Sequence, residues 1–175
     1  MCYTPARSVG AALVATMIFA CGCGPSAPKV ITSADGRTQI TLYGGMESTK
    51  NLNDDAILQG QQLMKELYVT VTSHPRQGYA AEITHQDFFV IVAKNTMDGI
   101  ANAKRTDDTP SKINGRSAAQ TVITESADDL DLVYILTTIK TETHFYAIAA
   151  WTLKSRYETN KPILEQTINS FRELK

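Results

Sequence analysis

The strongest apolar pattern lies in the last third of the chain. In Leu130–Thr141, the residues Leu130, Leu132, Tyr134 and Leu136 fall on one face of an extended chain, and Val133, Ile135 and Ile139 on the other. In Phe145–Lys154, Phe145, Ala147, Ala149, Trp151 and Leu153 oppose Tyr146, Ile148 and Ala150. Ala118–Glu125 precedes these runs, and short polar stretches join all three, which predicts an antiparallel meander. Strands that are apolar on both faces need cover on both, so the pattern calls for a helical layer on each side.

The earlier half supplies the remaining elements. Thr38–Tyr43 alternates and stops at Gly44-Gly45, Ile57–Gln62 is a weaker strand, and Glu66–Ser73 alternates up to His74-Pro75. Thr84 followed by Asp87 forms a capping arrangement ahead of Phe88, Phe89, Val92, Ala93, Met97, Ile100 and Ala101 at helical spacing, which predicts a helix from Gln86 to Lys104. Thr106–Pro110 is a polar loop, and Asn114-Gly115 is a tight-hairpin pair. After Asn160 a closing helix is expected, with Pro162 in its first turn and a buried stripe of Ile163, Leu164, Thr167, Ile168 and Phe171.

No internal repeat and no second linker interrupts this order, so residues 30–175 form one domain. The whole chain is 43% hydrophobic and 20% charged, enough for this body to bury a core. A net charge of −1 without a basic face excludes an ordinary nucleic-acid binder. The three cysteines all fall within the first 23 residues, so no disulfide framework holds the body.

That N-terminus has its own logic. Val9–Ala20 is uncharged but too short to span a bilayer, which needs about 20 apolar residues. Arg7 before it and small residues after it fit a signal peptide over residues 1–20. Ile18-Phe19-Ala20-Cys21 resembles the lipobox of bacterial lipoproteins, which implies cleavage before Cys21 and lipidation of its thiol, with palmitate-type acyl chains. A second register, ending at Cys23, is the alternative. Residues 21–29 then form a lipidated N-terminus and a Gly/Pro/Ser/Ala tether. Cleavage removes Arg7 alone among charged side chains and leaves 16 basic against 18 acidic residues, a net of −2. Such a balance offers no polybasic hold on an anionic surface, so membrane attachment must come from the lipid.

A resemblance covers the body from roughly Ile40 to Leu174. It rests on Leu52-Asn53-Asp54-Asp55-Ala56, Glu66-Leu67-Tyr68-Val69, Ile113-Asn114-Gly115, Phe145-Tyr146-Ala147-Ile148-Ala149-Ala150-Trp151-Thr152 and Ile168-Asn169-Ser170-Phe171. In these the chain resembles the PsbP-like (DcrB-like) α/β/α sandwich superfamily, which includes bacterial envelope lipoproteins. The resemblance implies an α+β fold, an antiparallel sheet with helices on both faces, and a binding or assembly role. It implies no catalytic residue and no cofactor.

The chemistry-bearing residues are scattered. His74, His85 and His144 lack the paired spacing of a metal motif. Asp128, Asp129 and Asp131 cluster in a turn without the glycine and distal glutamate of a calcium loop. Lys104, Arg105, Lys112 and Arg116 form a basic neighbourhood interrupted by Asp107 and Asp108, and Tyr134, Tyr146 and Trp151 are expected in the core. No nucleophile elbow or phosphate loop is present. Two readings follow. One is a non-catalytic, lipid-anchored extracytoplasmic module that binds another envelope protein or a small ligand. The other is a metal-dependent or enzymatic envelope factor built from His74, His85 and the acidic turn.

Overall fold

The computed structural model describes residues 26–106, 108–127 and 130–174. Its strands are β1 (Lys29–Thr32), β2 (Thr38–Leu42), β3 (Glu47–Ser48), β4 (Leu58–Gln62), β5 (Leu67–Pro75), β6 (Lys104–Arg105), β7 (Thr109–Ile113), β8 (Arg116–Ala127), β9 (Leu130–Lys140), β10 (His144–Leu153) and β11 (Arg172–Glu173). Among the described residues two helices complete it, α1 (His85–Asp98) and α2 (Tyr157–Asn169).

The main sheet runs β3-β4-β5-β10-β9-β8-β6, with β7 beside β6 along the same edge of β8. Every pairing is antiparallel, and β8, β9 and β10 are the expected meander. Register fixes the faces: Phe145, Ala147, Ala149 and Trp151 lie opposite Lys140, Thr138, Leu136 and Tyr134, and their side chains point to the α1 side. Tyr146, Ile148 and Ala150 point the other way, toward Leu164, Ile168 and Phe171 of the α2 layer. Each face is covered, as strands apolar on both sides require.

A second sheet, β1-β2-β11, shares the α2 side. Ile40 and Leu42 of β2 are buried in one core with Val69, Val71, Ile135, Ile148 and Leu164. A fully buried side chain of this kind stabilises the fold by roughly 1.5–3 kcal/mol.

Several element boundaries depart from the sequence expectation. Helix α1 has its capping box, with Thr84 Oγ1 accepting from the Asp87 N–H at 3.1 Å and Asp87 Oδ2 accepting from the Thr84 N–H at 3.0 Å. It stops at Asp98 rather than Lys104, because Gly99 caps it and Asn102 turns back with φ of 51°, freeing Lys104–Arg105 to pair with β8. Thr109 and Pro110, expected in a loop, belong to β7. Proline is tolerated there because β7 is an edge strand. The Asn114-Gly115 hairpin forms as expected, with φ of 47° and 78°.

Helix α2 begins at Tyr157, three residues before Asn160. Asn160 is no cap but a buried tie, its Nδ2 donating to the Lys65 carbonyl and to Thr152 Oγ1, both at 2.8 Å. Pro162 consequently sits in the second turn, on the exposed face of the helix. Lys29, assigned to the tether, is the first residue of β1.

Candidate functional site

Four chain segments meet at one end of the sheet. The β1–β2 turn brings Arg37, the β7–β8 turn brings Arg116, the β9–β10 turn brings Glu142, Thr143 and His144, and β11 brings Glu173. Between them lies an open cleft of about 760 Å³, also bordered by Pro75, Gln77 and Leu174.

Each wall is fixed by local chemistry. Ser33 Oγ donates to Asp35 Oδ1 at 2.6 Å, and the Arg37 N–H donates to the same oxygen at 3.1 Å. These bonds hold the Asp35 carboxyl below the usual carboxylate range. The Arg76 guanidinium donates to the Glu142 carbonyl at 2.8 Å and lies over the Phe145 ring, which ties the β9–β10 turn to the end of β5. Asn114 Nδ2 donates to the Phe171 carbonyl at 2.6 Å, and the Leu174 N–H donates to the Arg37 carbonyl at 2.6 Å, so β11 is clamped on both sides.

Glu173 is the centre of this arrangement. Its Oε1 accepts from Tyr146 Oη at 2.9 Å and from Thr141 Oγ1 at 3.0 Å, while Oε2 faces an Arg116 nitrogen at 3.1 Å. Burial, followed by the Glu173 carboxylate, pushes the Tyr146 phenol well above its ordinary value. Tyr146 therefore stays a donor at any physiological pH.

The histidines do not converge as a ligand set. His74 and His85 both lie beside the aromatic cluster of Phe88 and Phe145 under α1, whereas His144 stacks on Tyr146 on the opposite face. His74 Nε2 lies 3.0 Å from Thr72 Oγ1, and His85 Nε2 lies 2.9 Å from Thr138 Oγ1. Desolvation lowers both ring pKa values. His85 Nδ1 also lies 3.4 Å from Ser117 Oγ, but its other nitrogen meets a hydroxyl, not the carboxylate that orients a catalytic imidazole. Among the described residues, no three His, Cys, Asp or Glu side chains are grouped to hold a metal ion.

The other sequence candidates disperse. Asp131 pairs with Lys154 at 3.5 Å, while Asp128 and Asp129 lie outside the described residues, as do Cys21, Cys23 and residues 1–20, where a signal peptide is expected. Arg105 pairs with Asp108 and covers the Phe89 ring, and Arg116 turns to Glu173, so the basic neighbourhood is not one surface.

Trp151 is a correction. It is half-buried rather than core, stacked between Tyr68 at 5.4 Å and Tyr134 at 5.8 Å. Helix α1 packs on β8, β9 and β10, which leaves the β5 side of that face only partly covered. Burial and the Glu66 carboxylate push the Tyr68 phenol up to about 12. Tyr134 is half-buried too, and only Tyr146 is core as expected.

Sequence reasoning missed Arg37, Glu142 and Glu173. Isolated charges near turns carry no periodic signal, and only the pairing of β11 with β2 brings Glu173 and Arg37 to one cleft.

No protein-family model matches the chain, and no curated protein matches it in sequence. Solved structures do. The chain is similar to the cyanobacterial PsbP (CyanoP) of Synechocystis sp. PCC 6803, with a TM-score of 0.63 at 12% identity over 90% of this chain and 99% of that one. A protein of Bacteroides thetaiotaomicron gives 0.57 at 10% identity, over 84% of this chain and 48% of that one. PA94 of Pseudomonas aeruginosa, described as of unknown function, gives 0.54 at 9% identity, over 86% and 99%. At these identities the likeness is one of fold. The chain has the PsbP-like fold, α+β, with an antiparallel sheet between helical layers.

Proposed function

We propose that this PsbP-like domain is a lipid-anchored, extracytoplasmic binding or assembly module of the bacterial envelope, non-catalytic, with the Arg37–Arg116–His144 cleft as its working surface. The observation that carries the reading is the cleft itself. Glu173 is held in place by Arg116 and by the Tyr146 and Thr141 hydroxyls, beside an exposed Arg37, in a form suited to docking a polar segment of another protein. The lipobox-like Ile18-Phe19-Ala20-Cys21 supports the anchor, with cleavage after Ala20 and acylation of Cys21.

The test is site-specific photo-crosslinking in native membranes, with the photoreactive residue at Gln77 or Thr143 and a control at Ile91 on the outer face of α1. A discrete adduct is expected at both cleft positions, lost when Arg37→Ala and Arg116→Ala are combined, and absent at Ile91. Equal labelling at all three positions, or none in the cleft, overturns the choice of surface. Cys21→Ala should leave the chain unprocessed or release it. Unchanged processing and retention of that variant overturns the anchor.

A further inference from the structure

The end of the sheet opposite the cleft carries an apolar tip. The 3₁₀ turn Leu63–Lys65 joins β4 to β5 and exposes Leu63 by 59% and Met64 by 84%. These side chains project from a rigid support. The Gln62 side chain accepts from the Met64 N–H at 3.2 Å, and Arg156 donates to the Met64 carbonyl at 2.6 Å. Lys65 Nζ donates to the Gly44 carbonyl at 2.9 Å, and Glu66 closes the turn with φ of 55°. Two exposed apolar side chains flanked by Lys65 and Arg156 match the chemistry of a membrane interface, where apolar tips enter the acyl boundary and cations stay level with the phosphates.

The chain enters the domain at this same end. Gln62 Nε2 donates to the Gly45 carbonyl at 3.0 Å, and Ser26 lies against Gly45, its Oγ 3.0 Å from where a Cβ would stand. Cys21 is five residues before Ser26, a reach of at most about 18 Å even when fully extended. A lipid on Cys21 therefore brings the bilayer to this end of the sheet and no other.

We infer that the Leu63–Met64 turn inserts into the lipid surface and sets the orientation of the domain, with the sheet end-on to the membrane. The register then fixes where the cleft goes. β10 starts beside Pro75 at the cleft, reaches Tyr68 at Trp151 and ends at Leu153 near the tip, so its ten residues hold the cleft roughly 30 Å out from the lipid. The occupant of the tip is a bilayer, not a protein. The inference rests on the lipid-anchor reading.

The experiment uses the full chain purified from membranes, with Cys2→Ser and Cys23→Ser, reconstituted into phosphatidylethanolamine–phosphatidylglycerol vesicles. An environment-sensitive fluorophore is placed at Met64→Cys, or at Ile91→Cys as control, and mass spectrometry reads the N-terminal peptide for lipid. The expected result is a blue-shifted emission at position 64 that brominated acyl chains quench, weakened by adding Leu63→Asp, with no shift at position 91. A chain that carries its lipid and floats with the vesicles, yet shows a water-exposed probe at position 64, overturns the tip alone. A chain without lipid that stays out of the vesicle fraction overturns the anchor and the tip together.

Discussion

Arg116 and Glu173 face each other at 3.1 Å across the gap between the start of β8 and the end of the chain. The carboxylate also serves Tyr146 and Thr141, so it joins β8, β10, β11 and the β9–β10 turn at a single point. The two partners are unequal. The Glu173 side chain is 15% exposed and the Arg116 side chain 37%, which puts the greater cost of a deletion on the acid.

Glu173→Ala should accordingly destabilise the chain by about 1–3 kcal/mol, since it strips an acceptor from two hydroxyls and a guanidinium. Arg116→Ala should cost less, about 0–1 kcal/mol, because the guanidinium is more than a third exposed and Glu173 keeps its two hydroxyl donors. Urea unfolding measures both. Equal losses would mean that the hydroxyl bonds to Glu173 contribute nothing.

The lowered ring pKa values of His74 and His85 predict a dependence on pH. Both rings are neutral in the folded chain at a pH where the unfolded chain, titrating near 6.5, takes up protons. The unfolded state thus binds more protons as pH falls, and stability should decline from about pH 7.5 downward through pH 6.5. Asp35 and Asp87 are shifted to lower values and add their losses only in more acid solution. A thermal-unfolding series between pH 8 and pH 5 isolates the histidines. The combined variant His74→Gln and His85→Gln should flatten that series, and a slope identical to the parent would refute the assignment.

The stack of Trp151 between two tyrosines leads to a contrast with Phe145 on the same strand face. Phe145 is 1% exposed and packs on Phe88 at 4.5 Å, so Phe145→Ala should cost about 3–5 kcal/mol. The half-buried Trp151 should cost about 1–2 kcal/mol when replaced by alanine, in proportion to the area it hides. Trp151 is the sole tryptophan, so acrylamide quenching reports on it directly. Efficient quenching in the folded chain is expected. An emission shielded from acrylamide would return Trp151 to the core.

What the sequence made legible was the part with a period. The meander, the capping box at Thr84, the Asn114-Gly115 turn and the need for cover on both faces all follow from alternation or from local turn chemistry. What it hid was set by tertiary contacts. Helix α1 was expected to run on to Lys104 because Ile100 and Ala101 keep the spacing, yet Lys104 gains more by pairing with Thr124. The closing helix is expected only after Asn160, whereas Asn160 lies within it and spends its amide on Lys65 and Thr152 in the interior. The cleft was hidden for the same reason, because Arg37 and Glu173 become neighbours only through a two-residue strand at the chain end.

A last prediction concerns how the two sheets are held together. β4 passes beneath β2 at Gly60, where an added Cβ would stand 2.6 and 2.8 Å from the two methyls of Leu42. Leu42 is 1% exposed and wedged among core side chains, so those methyls have little room to retreat. Two effects of Gly60→Ala oppose each other. Restricting the unfolded chain favours the variant by about 0.4–1 kcal/mol. Overpacking costs about 1–3 kcal/mol, and with a contact this short in a dense core it should win. A net loss in urea unfolding is therefore expected. Leu42→Val shortens the obstructing side chain and on its own should also destabilise, by about 1 kcal/mol. Combined with Gly60→Ala it should cost less than the two single losses together, because the new methyl fills the space that valine leaves. Strict additivity in that double-mutant cycle would show that Gly60 is not where the sheets touch.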